Sequence, residues 1–159
     1  MQNKIFKDKR GFNMKFFENK LAEEMGFGQV KEVFATTNKK GVIRAFHYQS
    51  KPKPQQKIIK VLSGKFNVRV IDMENKKIKE YDNYDNNSDP IFVKEGNMLG
   101  YVALKEDSVM LYIADEEFKG NLNSGVNPLS FGVNWNYDGE IIINDRDKNA
   151  LLVDFDYTT

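Results

Sequence analysis

Hydrophobic and polar residues alternate over much of the chain with the two-residue period of a β-strand. The alternation is cleanest at residues 65–70, where Phe66, Val68 and Val70 share one face, which predicts a half-buried antiparallel strand. Residues 57–62 form a second β-branched run. Because Gly64 lies between the two runs, they are predicted to form a hairpin with its turn at this glycine.

Further strands are predicted where short apolar runs lie between turn residues, at 30–36, 41–49, 90–93, 98–103 and 108–113. A helical period occurs near the start, where Phe17, Leu21 and Met25 recur every four residues and Gly26 supplies a stop signal. Three stretches rich in Pro, Asp or Asn are predicted loops: residues 49–54, 81–90 and 121–127. Many short strands with one short helix near the N-terminus indicate a mostly β sandwich, jelly roll or barrel.

Composition narrows the classes of partner. The 159 residues are predicted to form one domain over 1–159. Lys and Arg total 24 against 23 Asp and Glu, so no basic field is available for nucleic acid, and none is expected as a partner. No apolar segment approaches the roughly 20 residues that span a bilayer, so no membrane partner is expected and the cytoplasm is the predicted location.

The chain contains one histidine, His47, and no cysteine. A transition-metal site in a β-barrel usually needs two or three imidazoles, so neither a metal site nor a metal cofactor is predicted. General acid–base work, a hydrogen bond to substrate, and a packing role remain open for His47. Spacing alone favours packing, because a lone histidine in a strand is more often structural.

Two segments in order carry a specific resemblance. Residues 41–49 read Gly-Val-Ile-Arg-Ala-Phe-His-Tyr-Gln and resemble Gly-Val-Leu-Arg-Gly-Leu-His-Tyr-Gln of the dTDP-4-dehydrorhamnose 3,5-epimerase family. Residues 55–61 follow where that family has Gln-x-Lys-Leu-Val-x-Val. Residues 6–11 look like its Phe-x-Asp-x-Arg-Gly, and similarity continues through Leu111-Tyr112 to residues 145–148. The resemblance covers nearly the whole chain.

The resemblance implies a jelly-roll cupin fold, a homodimer, and an epimerase that acts on a nucleoside-diphosphate 4-keto sugar without metal or organic cofactor, in activated-sugar biosynthesis for surface polysaccharide. It implies four catalytic residues: the base His47, the orienting carboxylate Asp147, the acid Tyr112 and, near the keto oxygen, the cation Lys57. A nearby cation stabilises an enolate, and inversion needs a second acid on the other side of the ring.

Three residues are expected to bind substrate: Arg10 and Arg44 at the diphosphate, and Gln49 at the end of the first matched segment. A guanidinium suits diphosphate because its planar fork forms paired hydrogen bonds with anionic oxygens. Arg44 and His47 are three residues apart, so a regular strand would place them on opposite faces. A shared site therefore requires a β-bulge or a strand end between them.

The sequence departs from the family at two places. Residues 96–101 read Gly-Asn-Met-Leu-Gly-Tyr where the family has Gly-Phe-Ala-His-Gly-Phe, so Leu99 replaces a second histidine. Asn13 and Lys15 occupy the aromatic and acidic positions of the family's Arg-Gly-x-Phe-x-Glu. Inversion at C3 alone, inversion at C3 and C5, movement of the carbonyl by a keto-sugar isomerase, and non-catalytic binding of a sugar nucleotide all remain open.

Overall fold

A computed structural model describes residues 4–154, in which strands predominate and helices are short. The strands are β1 (Lys4–Asp8), β2 (Gly11–Lys15), β3 (Glu32–Asn38), β4 (Ile43–Gln49), β5 (Lys57–Ser63), β6 (Lys65–Asp72), β7 (Lys77–Asp85), β8 (Ile91–Val93), β9 (Met98–Ala103), β10 (Ser108–Ala114) and β11 (Asn123–Gly125). The α-helices are α1 (Asn19–Glu24) and α2 (Asp145–Lys148), and 3-10 turns cover Gly120–Leu122 and Ser130–Gly132. Within residues 4–154, no helix has both the length and the apolar character needed to cross a membrane.

Two antiparallel sheets form the body of the fold. One has the order β3-β10-β5-β8 and the other β11-β4-β9-β6-β7, while β1 and β2 form a separate hairpin. The predicted hairpin of residues 57–62 and 65–70 is wrong, because β5 and β6 belong to different sheets and do not pair; the chain turns at Gly64 and crosses from one sheet to the other. The prediction of a mostly β jelly-roll cupin with a short helix near the N-terminus is confirmed, although the two sheets do not join into one closed hydrogen-bonded barrel. The helix α1 is shorter than the apolar spacing suggested, and Gly26 follows it with a φ of +78° that favours glycine.

The main core lies between the two sheets. Its buried side chains come from β5, β8 and β10 on one side and from β6, β7 and β9 on the other: Ile59, Val61, Phe66, Val68, Val70, Tyr84, Ile91, Val93, Leu99, Tyr101, Ala103, Met110 and Tyr112. The alternation of β6 predicts this contribution, because Phe66, Val68 and Val70 all enter the core. Removal of these side chains from water is the main stabilising force for the face-to-face arrangement.

The prediction that β6 is only half-buried is wrong. Its second face is covered by the segment that follows β11, because the Asn67 side chain donates to the Trp135 carbonyl and Arg69 donates to the Asn134 carbonyl. Asn67 and Arg69 are consequently buried on the face that was expected to meet water. Alternation reports which residues share a face, but it does not report what covers the polar face.

Two predicted loops contain strand residues. The segment 81–90 is a strand as far as Asp85, which pairs with Lys65. A register shift between Phe66 and Val68 accommodates the extra residues of β7, and Asn83 takes a φ of +54° there. The Asp- and Asn-rich composition therefore serves a β-bulge within paired strands. Likewise, Asn123–Gly125 within the predicted loop 121–127 forms β11 against β4.

Candidate active site

A cavity of about 410 Å³ opens between the sheets, and six strands contribute to its walls. The strands β3, β5 and β10 form one wall, and β4, β9 and β11 contribute to the other. The lining residues are Glu32, Phe34, Thr36, Arg44, His47, Gln55, Lys57, Leu99, Tyr101, Tyr112, Phe118, Asn123, Asn144 and Arg146. Four of the predicted site residues line this cavity: Arg44, His47, Lys57 and Tyr112. Leu99, which replaces the family's second histidine, lines it as well.

A bulge in β4 brings Arg44 and His47 to the same wall. Arg44 pairs with Tyr101 of β9 and His47 pairs with Leu99, so β4 advances three residues where β9 advances two. The extra residue lets Ala45 and Phe46 both pack in the apolar cluster on the other side of the sheet. This irregularity is the feature that a shared site required.

His47 and Asp147 form a hydrogen-bonded pair. The Nε2 atom of His47 lies 2.8 Å from Oδ1 of Asp147, whose side chain is only 3% exposed, whereas that of His47 is 26% exposed. Asn144 caps α2 by accepting from the Asp147 backbone N–H at 2.7 Å, and its side-chain amide donates to the second carboxylate oxygen of Asp147 at 3.3 Å. A neutral imidazole that donates from Nε2 to the carboxylate keeps Nδ1 unprotonated, as a general base requires.

Lys57 supplies a cation to the opposite wall. Burial lowers the pKa of its ammonium to about 8, and the Glu32 carboxylate partly offsets this shift. Within residues 4–154, no hydrogen bond or ion pair is formed by its Nζ atom. An ammonium that is desolvated and still has its donors available can stabilise an oxyanion in the cavity.

Tyr112 belongs to a chain of hydroxyl groups in the buried part of the cavity. Its hydroxyl donates to that of Tyr101 at 2.6 Å, and the Tyr101 hydroxyl lies 3.0 Å from Oγ1 of Thr36. The Phe34 ring stacks on the Tyr112 ring with 4.5 Å between centroids. Burial raises the pKa of Tyr112 well above its usual value, so the phenol is protonated and able to act as an acid.

Two guanidinium groups line the cavity: Arg44 keeps most of its donors available, whereas both terminal nitrogens of Arg146 donate to Asn123. Nε of Arg44 donates to Oδ1 of the buried Asn38 at 2.9 Å, and no carboxylate in the described part of the chain pairs with Arg44. Arg146 donates to the Asn123 carbonyl at 3.1 Å. Both residues can therefore contact an anionic group of a ligand.

The structure does not bring Gln49 or Arg10 to this cavity. Gln49 is buried, its amide nitrogen donates to the carbonyls of Lys53 and Glu117, and its oxygen accepts from the Lys119 backbone N–H. Its hydrogen-bonding atoms thus hold loops together and do not face a ligand. Arg10 lies in the β1–β2 turn with a side chain that is 84% exposed and paired with Asp8 at 2.6 Å. Within a single chain, these two residues depart from the expected substrate contacts.

Several lining residues had no motif to reveal them. Glu32, Phe34 and Thr36 alternate along β3 and enter the cavity together, and Tyr101 shares a face of β9 with Leu99. The two-residue period around Leu99 would have placed Tyr101 in the same wall. Arg146 directly precedes Asp147, so its sequence position was a usable signal as well.

Comparison with known proteins agrees with this geometry. A sequence profile described as dTDP-4-dehydrorhamnose 3,5-epimerase matches residues 1–154. The chain belongs to this family. The predicted family and the predicted enzyme class, an isomerase, are therefore confirmed.

Relatives within the epimerase family include proteins named for one and for two centres. The dTDP-4-dehydrorhamnose 3,5-epimerase of Methanothermobacter thermautotrophicus is 26% identical over 166 residues, covering 94% of this chain and 85% of the relative. A dTDP-4-dehydro-6-deoxyglucose 3-epimerase of a Streptomyces species is 25% identical over 158 residues, which cover 92% of this chain and 79% of the relative. The crystal structure of dTDP-4-dehydrorhamnose 3,5-epimerase from Sulfolobus tokodaii superposes with a TM-score of 0.84 and 28% sequence identity. The match covers 93% of this chain and 85% of that protein.

The described residues contain no cluster of side chains that could bind a metal ion. Among residues 4–154, no group of three or more His, Cys, Asp or Glu side chains is arranged to hold a metal ion. The His47–Asp147 pair is the relevant polar cluster, and its geometry suits proton transfer.

Proposed function

We propose that this chain inverts C3 of a nucleoside-diphosphate-linked 4-keto sugar by removing the proton next to the ketone and returning one to the opposite face. The observation that carries this proposal is the position of His47, which is hydrogen-bonded to the buried Asp147 behind it and lines the same cavity as Lys57 and Tyr112. This set contains a base, a carboxylate that supports the charged base, a cation and an acid. An α-proton transfer requires these four functions.

The proposed reaction begins when Nδ1 of His47 takes the C3 proton. The electrons of the C–H bond form an enolate whose negative charge lies on the C4 oxygen, where the Lys57 ammonium stabilises it. Asp147 stabilises the imidazolium formed at His47. Tyr112 then gives its hydroxyl proton to C3 from the other face, and the electron pair of its O–H bond stays on the phenolic oxygen. Exchange with solvent later removes a proton from His47 and returns one to Tyr112.

The diphosphate is assigned to the two guanidinium groups of the cavity. Arg44 keeps both terminal nitrogens available there, Arg146 is held by Asn123 beside it as a second cation, and a planar fork matches the spacing of phosphate oxygens. The names of the relatives carry dTDP, which makes a thymidine diphosphate sugar the first candidate substrate.

Leu99 supports inversion at one centre. It pairs directly with His47 across β4 and β9 and lines the cavity, so the wall beside the base is apolar where the family pattern has a histidine. Inversion of a second carbon requires the intermediate to be held in a second geometry, and fewer polar groups are available to hold it. The relatives' names include both outcomes at nearly equal identity, so the proposal rests on this residue.

The test is incubation of dTDP-, UDP- and GDP-linked 4-keto-6-deoxyglucose with the protein in deuterated water, followed by NMR at each carbon. We expect deuterium and inversion at C3, with C5 much slower and with no effect of chelators. Similar rates at C3 and C5 would contradict the single-centre proposal. A migrated carbonyl would indicate an isomerase of a different type, and absence of exchange from every sugar would indicate a binding protein.

Leu99→His tests the single-centre argument directly, with Leu99→Met as the matched control that keeps the wall apolar. We expect the histidine variant to gain exchange at C5 while the methionine variant does not. The homodimer and the cytoplasmic location remain predictions, and light scattering of the purified protein tests the first of them.

A further inference from the structure

Tyr101 places a second phenol behind the proposed acid. The residue is 1% exposed, and its hydroxyl accepts a hydrogen bond from the Tyr112 hydroxyl at 2.6 Å. The family segment quoted above has phenylalanine at this position, so the hydroxyl is an addition in this chain. A buried hydroxyl is costly unless it is hydrogen-bonded, which makes its partners informative.

The partners of Tyr101 continue as one connected series. Oγ1 of Thr36 lies 3.0 Å from the Tyr101 hydroxyl. The Asn38 side-chain amide donates to this Thr36 Oγ1 atom at 3.2 Å. Asn38 also accepts from Nε of Arg44 at 2.9 Å. The series therefore runs from Tyr112 to a guanidinium, and each hydroxyl in it can rotate between donating and accepting.

We infer that Tyr101 is a positioning residue that holds the Tyr112 hydroxyl before reaction and stabilises the phenolate left after the Tyr112 proton has been delivered. The inference rests on the proposed function, in which Tyr112 is the acid. Before reaction, the Tyr112 hydroxyl donates to Tyr101. The Tyr112 hydroxyl then turns from Tyr101 to the substrate and gives its proton to C3, after which the Tyr101 hydroxyl turns to donate to the phenolate and Thr36 donates to Tyr101. Hydroxyl rotation accompanies the step, and no proton leaves Tyr101 or Thr36.

The surroundings explain why the phenolate needs this donor. Burial raises the pKa of Tyr112 well above its usual value, and the hydrogen bond that its hydroxyl donates to Tyr101 raises it further, because that bond favours the protonated phenol; Thr36 and Arg44 partly oppose the shift. The phenolate is therefore stabilised only when Tyr101 turns to donate. The stacked Phe34 ring offers no polar hydrogen. The Tyr101 hydroxyl lies 2.6 Å from the Tyr112 oxygen, and the Thr36 hydroxyl also acts on Tyr112 by lowering its pKa.

Tyr101→Phe removes the oxygen and keeps the ring. Because a hydrogen bond to a charged group is lost, we expect inversion at C3 to slow by about 10- to 100-fold. Exchange of the C3 proton with retention uses His47, Asp147 and Lys57 and does not use the acid, so it should remain nearly unchanged. The measurement is the ratio of inversion to deuterium exchange with retention, by NMR in deuterated water. Loss of structure alone would slow both reactions and leave this ratio constant.

Two further variants complete the experiment. Tyr84→Phe is the matched control, because Tyr84 is a buried tyrosine of the same core cluster whose hydroxyl donates to the Ile59 carbonyl at 3.0 Å, outside the cavity. It should leave the ratio unchanged. Thr36→Val removes the next group of the series and should lower the ratio in the same direction by a smaller factor. It carries the test if Tyr101→Phe does not fold.

Tyr112→Phe distinguishes failure of Tyr112 as the acid from failure of the role of Tyr101. If it loses inversion and keeps exchange while Tyr101→Phe lowers the ratio, both assignments hold. An unchanged ratio in Tyr101→Phe, with inversion lost in Tyr112→Phe, would overturn the role of Tyr101 alone. Continued inversion in Tyr112→Phe would remove the proposed acid, and the role of Tyr101 with it.

Discussion

Two guanidinium groups in the same sheet, on β4 and β6, show how differently this fold uses a cation. Arg69 on β6 is fully buried, and its nitrogens donate to the carbonyls of Val68 and Asn134 and form ion pairs with Glu80 and Asp82 at 3.0 and 2.7 Å. Arg44 on β4 has one side-chain hydrogen bond, to Asn38, and otherwise faces the cavity. The first is a structural group with its donors satisfied, whereas the second retains donors for a ligand.

Two lysines on β5 repeat the contrast. Burial lowers the pKa of both ammonium groups. Lys60 donates to the carbonyls of Asn86 and Ser88, while Lys57 forms no hydrogen bond or ion pair with the described residues. Burial and a shifted pKa are therefore shared by structural and site residues. Donors without protein partners distinguish the site.

The largest effect is expected at the base. His47→Ala should lower the rate of C3 exchange by about 10²–10⁴-fold, because a positioned general base contributes this much. The substitution also leaves the buried Asp147 carboxylate without its imidazole partner, so some loss of stability is expected and the exchange rate is taken per folded molecule. The measurement pairs NMR exchange with thermal unfolding. Exchange at the wild-type rate would refute the assignment of the base.

Arg69→Met should lower the free energy of unfolding and leave the reaction intact. The substitution leaves the carbonyls of Val68 and Asn134 without donors and separates Glu80 and Asp82 from their cation, at a cost of about 3–5 kcal/mol in unfolding free energy. Activity per folded molecule should persist. Denaturant unfolding measures the first quantity, and Lys79→Met on the exposed face of β7 is the control. A stable but inactive Arg69→Met protein would contradict the structural role.

Lys57 should give a pH dependence with two signs. As the pH rises through about 8, the ammonium loses its charge, and activity that depends on the cation should fall. Stability should rise between about 8 and the ordinary value of 10.5, because the unfolded state binds more protons in that range. Lys57→Met should lower activity by about 10²–10³-fold and remove the rise in stability. An activity that stays constant from pH 7 to about 9 would count against a role for this charge.

Arg44→Ala should have the smallest effect on the chemical step. Its proposed partner is the diphosphate, remote from C3, so KM should rise by about tenfold or more while kcat changes little. Steady-state kinetics measure both constants, and Arg10→Ala is the comparison because Arg10 is exposed and outside the cavity. A collapsed kcat with an unchanged KM would move Arg44 into the proton-transfer step.

Sequence pattern determined the local parts of this protein. Alternation predicted that Phe66, Val68 and Val70 enter one core, and glycine chemistry placed the turn at Gly64, because side-chain direction and positive φ are properties of adjacent residues. Matched segments singled out His47 and Lys57, which lie on neighbouring stretches of the chain. The need for a bulge beside His47 also followed from spacing alone.

Only the tertiary structure decided which polar residues meet a ligand. His47 reaches Asp147 across 100 positions of sequence, and Tyr112 finds Tyr101 through the approach of two sheets. Gln49 belongs to a matched segment, yet its amide satisfies loop backbone groups. Local periodicity records the face on which a side chain lies. Whether that face meets a cavity, a covering segment or water depends on distant parts of the chain, and so does whether its donors are satisfied.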